Sequence, residues 1–149
     1  MDKFRYAGSA EIRHLNIRKE GPDDEKILAV DIKFLCTAPA TMFDFFDEGL
    51  RSVLYTDIGA VKNMSISPIG FTNVVMNCDL SIFEYRYGGV DVGKFSLKPK
   101  DGNLVEMTFG ISIQPTGSEV AQLSEFVADE VNIVIEPQPE LQFGEKAAA

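Results

Sequence analysis

Between Leu104 and Ile113 every second residue is apolar: Val105, Met107, Phe109, Ile111 and Ile113 alternate with Leu104, Glu106, Thr108, Gly110 and Ser112. Successive side chains of a strand point to opposite faces. The stretch therefore predicts a half-buried antiparallel strand with one apolar face and one mostly polar face. Upstream, Phe95 and Leu97 alternate with Lys94, Ser96 and Lys98. Between the two runs stands Pro99-Lys100-Asp101-Gly102, where proline presets φ, aspartate bonds its own backbone and glycine accepts positive φ. The pair predicts a hairpin.

Pro115 then stops the strand, because it cannot donate to a ladder. Thr116-Gly117-Ser118-Glu119 has the spacing of a capping box. Val120, Leu123, Val127 and Val131 follow at three- and four-residue intervals, predicting a helix of about three to four turns. From Val131 through Ile133 and Ile135 the period changes to two, so a last strand follows and Pro137 ends it. The rest of the chain is expected to cover the apolar faces of this block.

Earlier in the chain, Ile12, Leu15 and Ile17 suggest a strand whose alternation slips between Ile12 and Leu15, as a bulge would make it. Gly21-Pro22-Asp23-Asp24-Glu25 is a turn, and Leu28, Val30, Ile32, Phe34 and Cys36 form a second strand, giving a hairpin. Thr41 is a candidate cap for a helix over about residues 42–55, with Asp44 in its first turn. Phe43, Phe46, Leu50, Val53 and Leu54 supply its stripe, which Gly49 weakens. Val74, Met76, Cys78, Leu80 and Ile82 are expected on one face of a strand, with Asn77, Asp79, Ser81, Phe83, Tyr85 and Tyr87 on the other. Gly88-Gly89 reads as the tight hairpin that closes it.

These elements predict an α+β fold: a mainly antiparallel sheet of about seven strands joined by hairpins, with two amphipathic helices over its faces or ends. One domain over residues 1–137 and a flexible acidic, prolyl tail over 138–149 are expected. Ala147-Ala148-Ala149 reads as an added terminus. The apolar content of 45% and the eleven phenylalanines are ample for a core. Met1 leads into Asp2-Lys3-Phe4-Arg5 rather than an apolar segment, and no run approaches the ~18 apolar residues of a membrane span. The reading is a cytoplasmic protein, in the host cytoplasm if phage-encoded.

Chemistry-bearing patterns are sparse. His14 is the single histidine, in a strand beside Arg13, with no nucleophile motif near it. One histidine and two distant cysteines, Cys36 and Cys78, give no zinc spacing, and both cysteines read as core residues whose pairing is open. Asp23-Asp24-Glu25 lacks the alternating ligand spacing of a calcium loop. No catalytic residue, metal or cofactor is expected. The net charge of −9 disfavours general binding to a phosphate backbone. Two surfaces remain. Phe83, Tyr85 and Tyr87 project from one strand face and could contact a partner, a second copy of the chain or stacked bases. Asp44, Asp47 and Glu48 could form an acidic docking surface. Glu140-Leu141-Gln142-Phe143, in the tail, has the form of a short docking motif.

Gln114-Pro115, Glu119-Val120-Ala121, Leu123, Val127, Glu130-Val131, Ile133 and Ile135-Glu136-Pro137 resemble the C-terminal part of small uncharacterised phage and prophage proteins. Asn16-Ile17-Arg18-Lys19-Glu20-Gly21 and Leu28-Ala29-Val30-Asp31-Ile32-Lys33 extend the resemblance over most of the chain. Such proteins often sit near recombination or replication genes. The resemblance rests on packing residues and turns and brings no established active site. It implies a non-enzymatic accessory protein that binds a protein partner, either from that machinery or from the host, and a homodimer is compatible with this. The alternative is a single-stranded nucleic-acid-binding protein that uses the aromatic strand.

Overall fold

The computed structural model describes residues 3–63 and 66–139. Seven strands form the body: β1 (Tyr6–Glu20), β2 (Ile27–Pro39), β3 (Ile69–Phe71), β4 (Val75–Ile82), β5 (Tyr85–Lys100), β6 (Leu104–Ile113) and β7 (Glu130–Pro137). Every ladder between them is antiparallel. With three short helices among the described residues, α1 (Phe43–Phe46), α2 (Leu50–Leu54) and α3 (Gly117–Glu125), the chain has an α+β fold.

The sheet closes on itself. Its neighbours run β1, β2, β6, β5, β4, β7 and back to β1, with β3 added beside β5. A closed ring leaves fewer strand edges exposed than an open sheet does. The period-two patterns decide which residues face inward. Across β2 and β6 the pairs Val30–Ile113, Ile32–Ile111, Phe34–Phe109 and Cys36–Met107 are all buried. The intervening pairs Asp31–Ser112, Lys33–Gly110 and Thr37–Glu106 form the outer surface. The slip expected in β1 is present: the register shifts between Ile12 and His14, leaving Arg13 as the extra residue.

One end of the barrel is closed by residues 40–63. Ala40 N–H donates to Asn103 O at 2.8 Å, Val61 N–H donates to Asp101 Oδ1 at 2.8 Å, and Tyr55 Oη donates to Leu104 O. Phenylalanines fill the space beneath. The Phe4 ring lies 5.2 Å from Phe95 and 5.6 Å from Phe45, and Phe46 stacks on Phe71 at 4.6 Å. The single helix predicted over 42–55 is instead a 3₁₀ turn, α1 and α2. Asp47 is extended (φ −159°, ψ 110°) and its Oδ1 accepts from Gly49 N–H, which breaks the helical run. Thr41 lies within the 3₁₀ turn and makes no capping hydrogen bond.

α3 covers the opposite end, between the end of β6 and the start of β7. Its capping box is formed: Thr116 Oγ1 accepts from Glu119 N–H, and Glu119 Oε1 accepts from Thr116 N–H. The helix is shorter than its sequence spacing predicts. Ala128 is left-handed (φ 73°), and its N–H donates to Ile12 O at 2.7 Å. That contact with β1 draws the chain out of the helix after Phe126, so Val127 is 40% exposed and Val131 belongs to β7.

Among the described residues no helix is long and apolar enough to cross a membrane. Most of the expected tail, residues 140–149 with the Glu140–Phe143 motif, lies outside the described residues.

Two stability measurements test this architecture. Phe109 is 1% exposed and packs on Phe34 and Phe95. Phe109→Ala is expected to cost roughly 3–5 kcal/mol in denaturant unfolding. A cost under about 1 kcal/mol, well below that of a large core truncation, would place this residue outside the core. Thr116→Ala is expected to cost about 0.5–2 kcal/mol with an unchanged fold.

Candidate functional site

The aromatic residues do not lie where the sequence pattern puts them. β4 and β5 are joined by a two-residue turn, Phe83-Glu84, because Ile82 pairs with Tyr85 and Leu80 with Tyr87. Phe83 takes the left-handed conformation the turn needs (φ 55°). Gly88 and Gly89 lie inside β5. The turn reverses the face assignment: Tyr85 and Tyr87 share the face of Leu80 and Ile82, whereas Asp79 and Ser81 share the face of Arg86. The expected uniform face of Val74 to Ile82 is also broken. Asn77 is left-handed (φ 57°), and Val74 and Met76 are 60% and 65% exposed.

On that inner face the aromatics support α3. The Phe83 and Phe126 rings lie 5.0 Å apart, and Tyr85 lies 6.1 Å from Phe83 and 6.4 Å from Tyr87. Tyr85 Oη donates to Gln122 Oε1, and Tyr87 Oη donates to Glu119 Oε1 at 2.8 Å. Burial, followed by the Glu119 carboxylate, raises the Tyr87 hydroxyl above its ordinary value. All three aromatics are half-buried, and the two hydroxyls tie the capping helix to the barrel.

The acidic trio is divided. Asp44 receives both Nε and Nη2 of Arg51, at 3.2 and 2.8 Å, and Asp47 holds the loop at Gly49. Glu48 is exposed. His14 is exposed on β1, and Asp23 of the turn pairs with Lys26 at 3.6 Å. Among the described residues no group of three or more His, Cys, Asp or Glu is placed to hold a metal ion.

The structure shows a feature that periodicity did not. Val92 pairs with Val75 of β4 on one edge and with Ile111 of β6 on the other. Beyond it β6 leaves β5: the β5–β6 ladder runs only from Val92 to Lys100, while β5 begins at Tyr85. The β6-side edge of residues 85–91 therefore has no strand partner among the described residues. Facing it are Ser112, Ile113 and Gln114, and the cleft between these lips has a volume of about 450 Å³. Buried Val90 and Ile113 line it, and Arg18 and Arg86 stand at its sides.

The side groups of the cleft are fixed. Arg18 binds Asp31 through Nε at 2.9 Å and Nη2 at 3.1 Å, and also binds Glu20. The hydrogen bonds from Arg18, then from Ser112, hold the Asp31 carboxyl well below the usual range. Arg86 Nη2 donates at 2.7 Å to Asp79, a carboxylate only 5% exposed. A buried charge requires such a partner. It also explains Gly88: a Cβ there would come within 3.2 Å of Asp79 Oδ1. The available sequence signals were the Gly-Gly pair and the length of the strand, which the expected turn cut in two.

Cys36 and Cys78 are free and buried. Burial pushes the Cys36 thiol up to about 12 and also raises Cys78. Because the thiolate is the nucleophile, native protein at pH 8 is expected to react with a thiol reagent far more slowly than a small free thiol, with both sites reacting in denaturant. Rapid labelling of native protein would contradict the placement of these cysteines. Comparison with protein-family models, with curated proteins and with solved structures gives no match for this chain.

Proposed function

We propose that this chain acts without catalysing a reaction, as a phage-type accessory protein that binds a protein partner from a recombination or replication apparatus or from the host. The contact we assign is addition of an extended segment of the partner along the open edge of β5. The observation that carries this reading is the unpaired β6-side edge of residues 85–91. A free strand edge is a template for main-chain pairing, and adjacent pockets select side chains. Here the apolar floor at Val90 and Ile113 would take the inward side chains of an added strand. The lack of a side chain at Gly88 and Gly89 lets another backbone approach.

The single-stranded nucleic-acid reading has less support. Stacking of bases needs accessible ring faces, whereas Phe83, Tyr85 and Tyr87 lie against one another and α3, with both hydroxyls engaged.

The test is selection of binders from a library of unstructured peptides, followed by amide hydrogen exchange. Bound peptide is expected to protect residues 86–91, and Gln114→Trp, at the cleft rim, is expected to weaken binding about tenfold or more. Thr72→Trp, exposed elsewhere, is the control. Protection confined to another face would overturn the assignment. A concentration-dependent doubling of mass, abolished by Gln114→Trp, would make the occupant a second copy. Salt-sensitive binding of oligothymidylate, lost in the Tyr85→Ala, Tyr87→Ala double variant, would favour the nucleic-acid reading.

A further inference from the structure

On the outer surface of the barrel a second groove, of about 690 Å³, crosses β1, β2, β6 and β5. One row of residues sets its shape: His14 opposes Lys33, Lys33 opposes Gly110, and Gly110 opposes Gly93. Neighbouring strands lie about 4.8 Å apart, so two adjacent glycines leave a bare strip of backbone between raised walls. At this point β5 bulges: Gly93 pairs with Gly110 and Ser96 with Thr108, so two residues oppose one.

The bulge holds Lys94 in the left-handed region (φ 54°). A lysine takes that conformation at a cost, and bulges re-aim side chains. Here the Lys94 stem is turned over the glycine strip. Its Cδ lies 3.7 Å from where a Cβ on Gly110 would stand, on the residue that pairs with Lys33. Lys33 and Lys94 thus both line one polar groove, together with His14, Ser96 and Thr108. The side chains of Lys33, Lys94 and His14 have no ion-pair or hydrogen-bond partner among the described residues. Of the two carboxylates of the groove, only Asp31 is paired with a cation; Asp91 keeps its charge and is engaged on the β4 side. Asp31 is held by Arg18, Asn16 and Ser112, and Asp91 Oδ1 accepts from Asn77 N–H at 3.2 Å.

We propose that the groove floored by Gly93 and Gly110 is a binding site for a phosphate group, held between Lys33 and Lys94. A phosphate offers several oxygens to donors converging from different strands, and charge-assisted bonds of this kind are the strong ones. The same group occurs on small phosphorylated molecules and in a nucleic-acid backbone, and the two sources are separable by experiment. The site is independent of the β5 edge.

The test is titration of the ¹⁵N-labelled chain with inorganic phosphate at low salt. Resonances of residues 93–96 and 108–110 are expected to move together. Lys33→Ala and Lys94→Gly are each expected to weaken the response about tenfold. Lys94→Gly is informative about folding too, since glycine suits the left-handed position and should preserve or raise Tm. Lys98→Ala, on the same outer surface, should leave binding unchanged. Oligothymidylate that displaces phosphate and binds more tightly, with a steep salt dependence, identifies a phosphodiester source; adenosine monophosphate binding more tightly than the oligomer identifies a small molecule. No localised shift with any of these ligands, or equal losses in Lys98→Ala and Lys33→Ala, would overturn the proposal.

Discussion

The structure depends on Val92, where β5 exchanges one neighbour for another. Val92 pairs on both edges, with Val75 and with Ile111, and it is fully buried. Before it β5 belongs to the β4 side of the ring, and after it to the β6 side. This overlap closes the sheet. Closure makes the inside a single core and creates two ends that need covering. Phe4, Phe43 and Phe46 with the 40–63 segment cover one, and α3, tied down by Tyr85 and Tyr87, covers the other. The many phenylalanines thus serve wide, irregular spaces at a barrel end rather than a flat layer between sheet and helix.

Local patterns carried much of this fold. Alternation in β2, β6 and β7 set the inward faces, the slip near Ile12 located the bulge of β1, and Thr116 with Glu119 marked the start of α3. What failed was the assignment of glycine to one of its two uses. Gly88-Gly89 read as a hairpin turn because a tight turn needs positive φ. Gly89 does have positive φ, at 66°, but it sits in β5 where the register with β4 is irregular. A bulge makes the same conformational demand as a turn. The actual turn at Phe83-Glu84 lacks glycine and is supported by packing of Phe83 on Phe126, a contact about forty positions away that no local pattern contains. That displacement moved Tyr85 and Tyr87 from a supposed outer face onto the inner one, and with them the candidate binding surface. The open seam was hidden for a related reason: it arises from where the β5–β6 ladder stops, which depends on long-range register.

Charge arrangement follows the same architecture. The chain carries 14 Lys and Arg against 23 Asp and Glu, so a cation has carboxylates in ample supply. Arg5, Arg13, Arg18, Arg51 and Arg86 all have them as partners. Exposed pairs of this kind contribute little to stability. The Arg86–Asp79 pair differs, because Asp79 is buried and loses its counter-charge if Arg86 is removed. Lys33 and Lys94 differ in the opposite sense: in a strongly acidic protein both line one groove, and neither forms an ion pair with its two carboxylates, Asp31 and Asp91.

Both candidate surfaces lie close to the same bend. The seam opens on the N-terminal side of Val92, where Gly88 and Gly89 line it. The phosphate groove lies on the C-terminal side, where Gly93 and the left-handed Lys94 form a second irregularity. A regular β5 paired with β6 along its whole length would fill the seam, and without the bulge Lys94 would not be turned over Gly110. The irregularities therefore do two things at once: they give β5 the curvature that closes the ring, and they leave a free edge and an aimed cation beside it. Variants at Gly89 and Lys94 consequently probe curvature as well as binding. That is why the informative change at position 94 is to glycine, which keeps the bend while removing the charge.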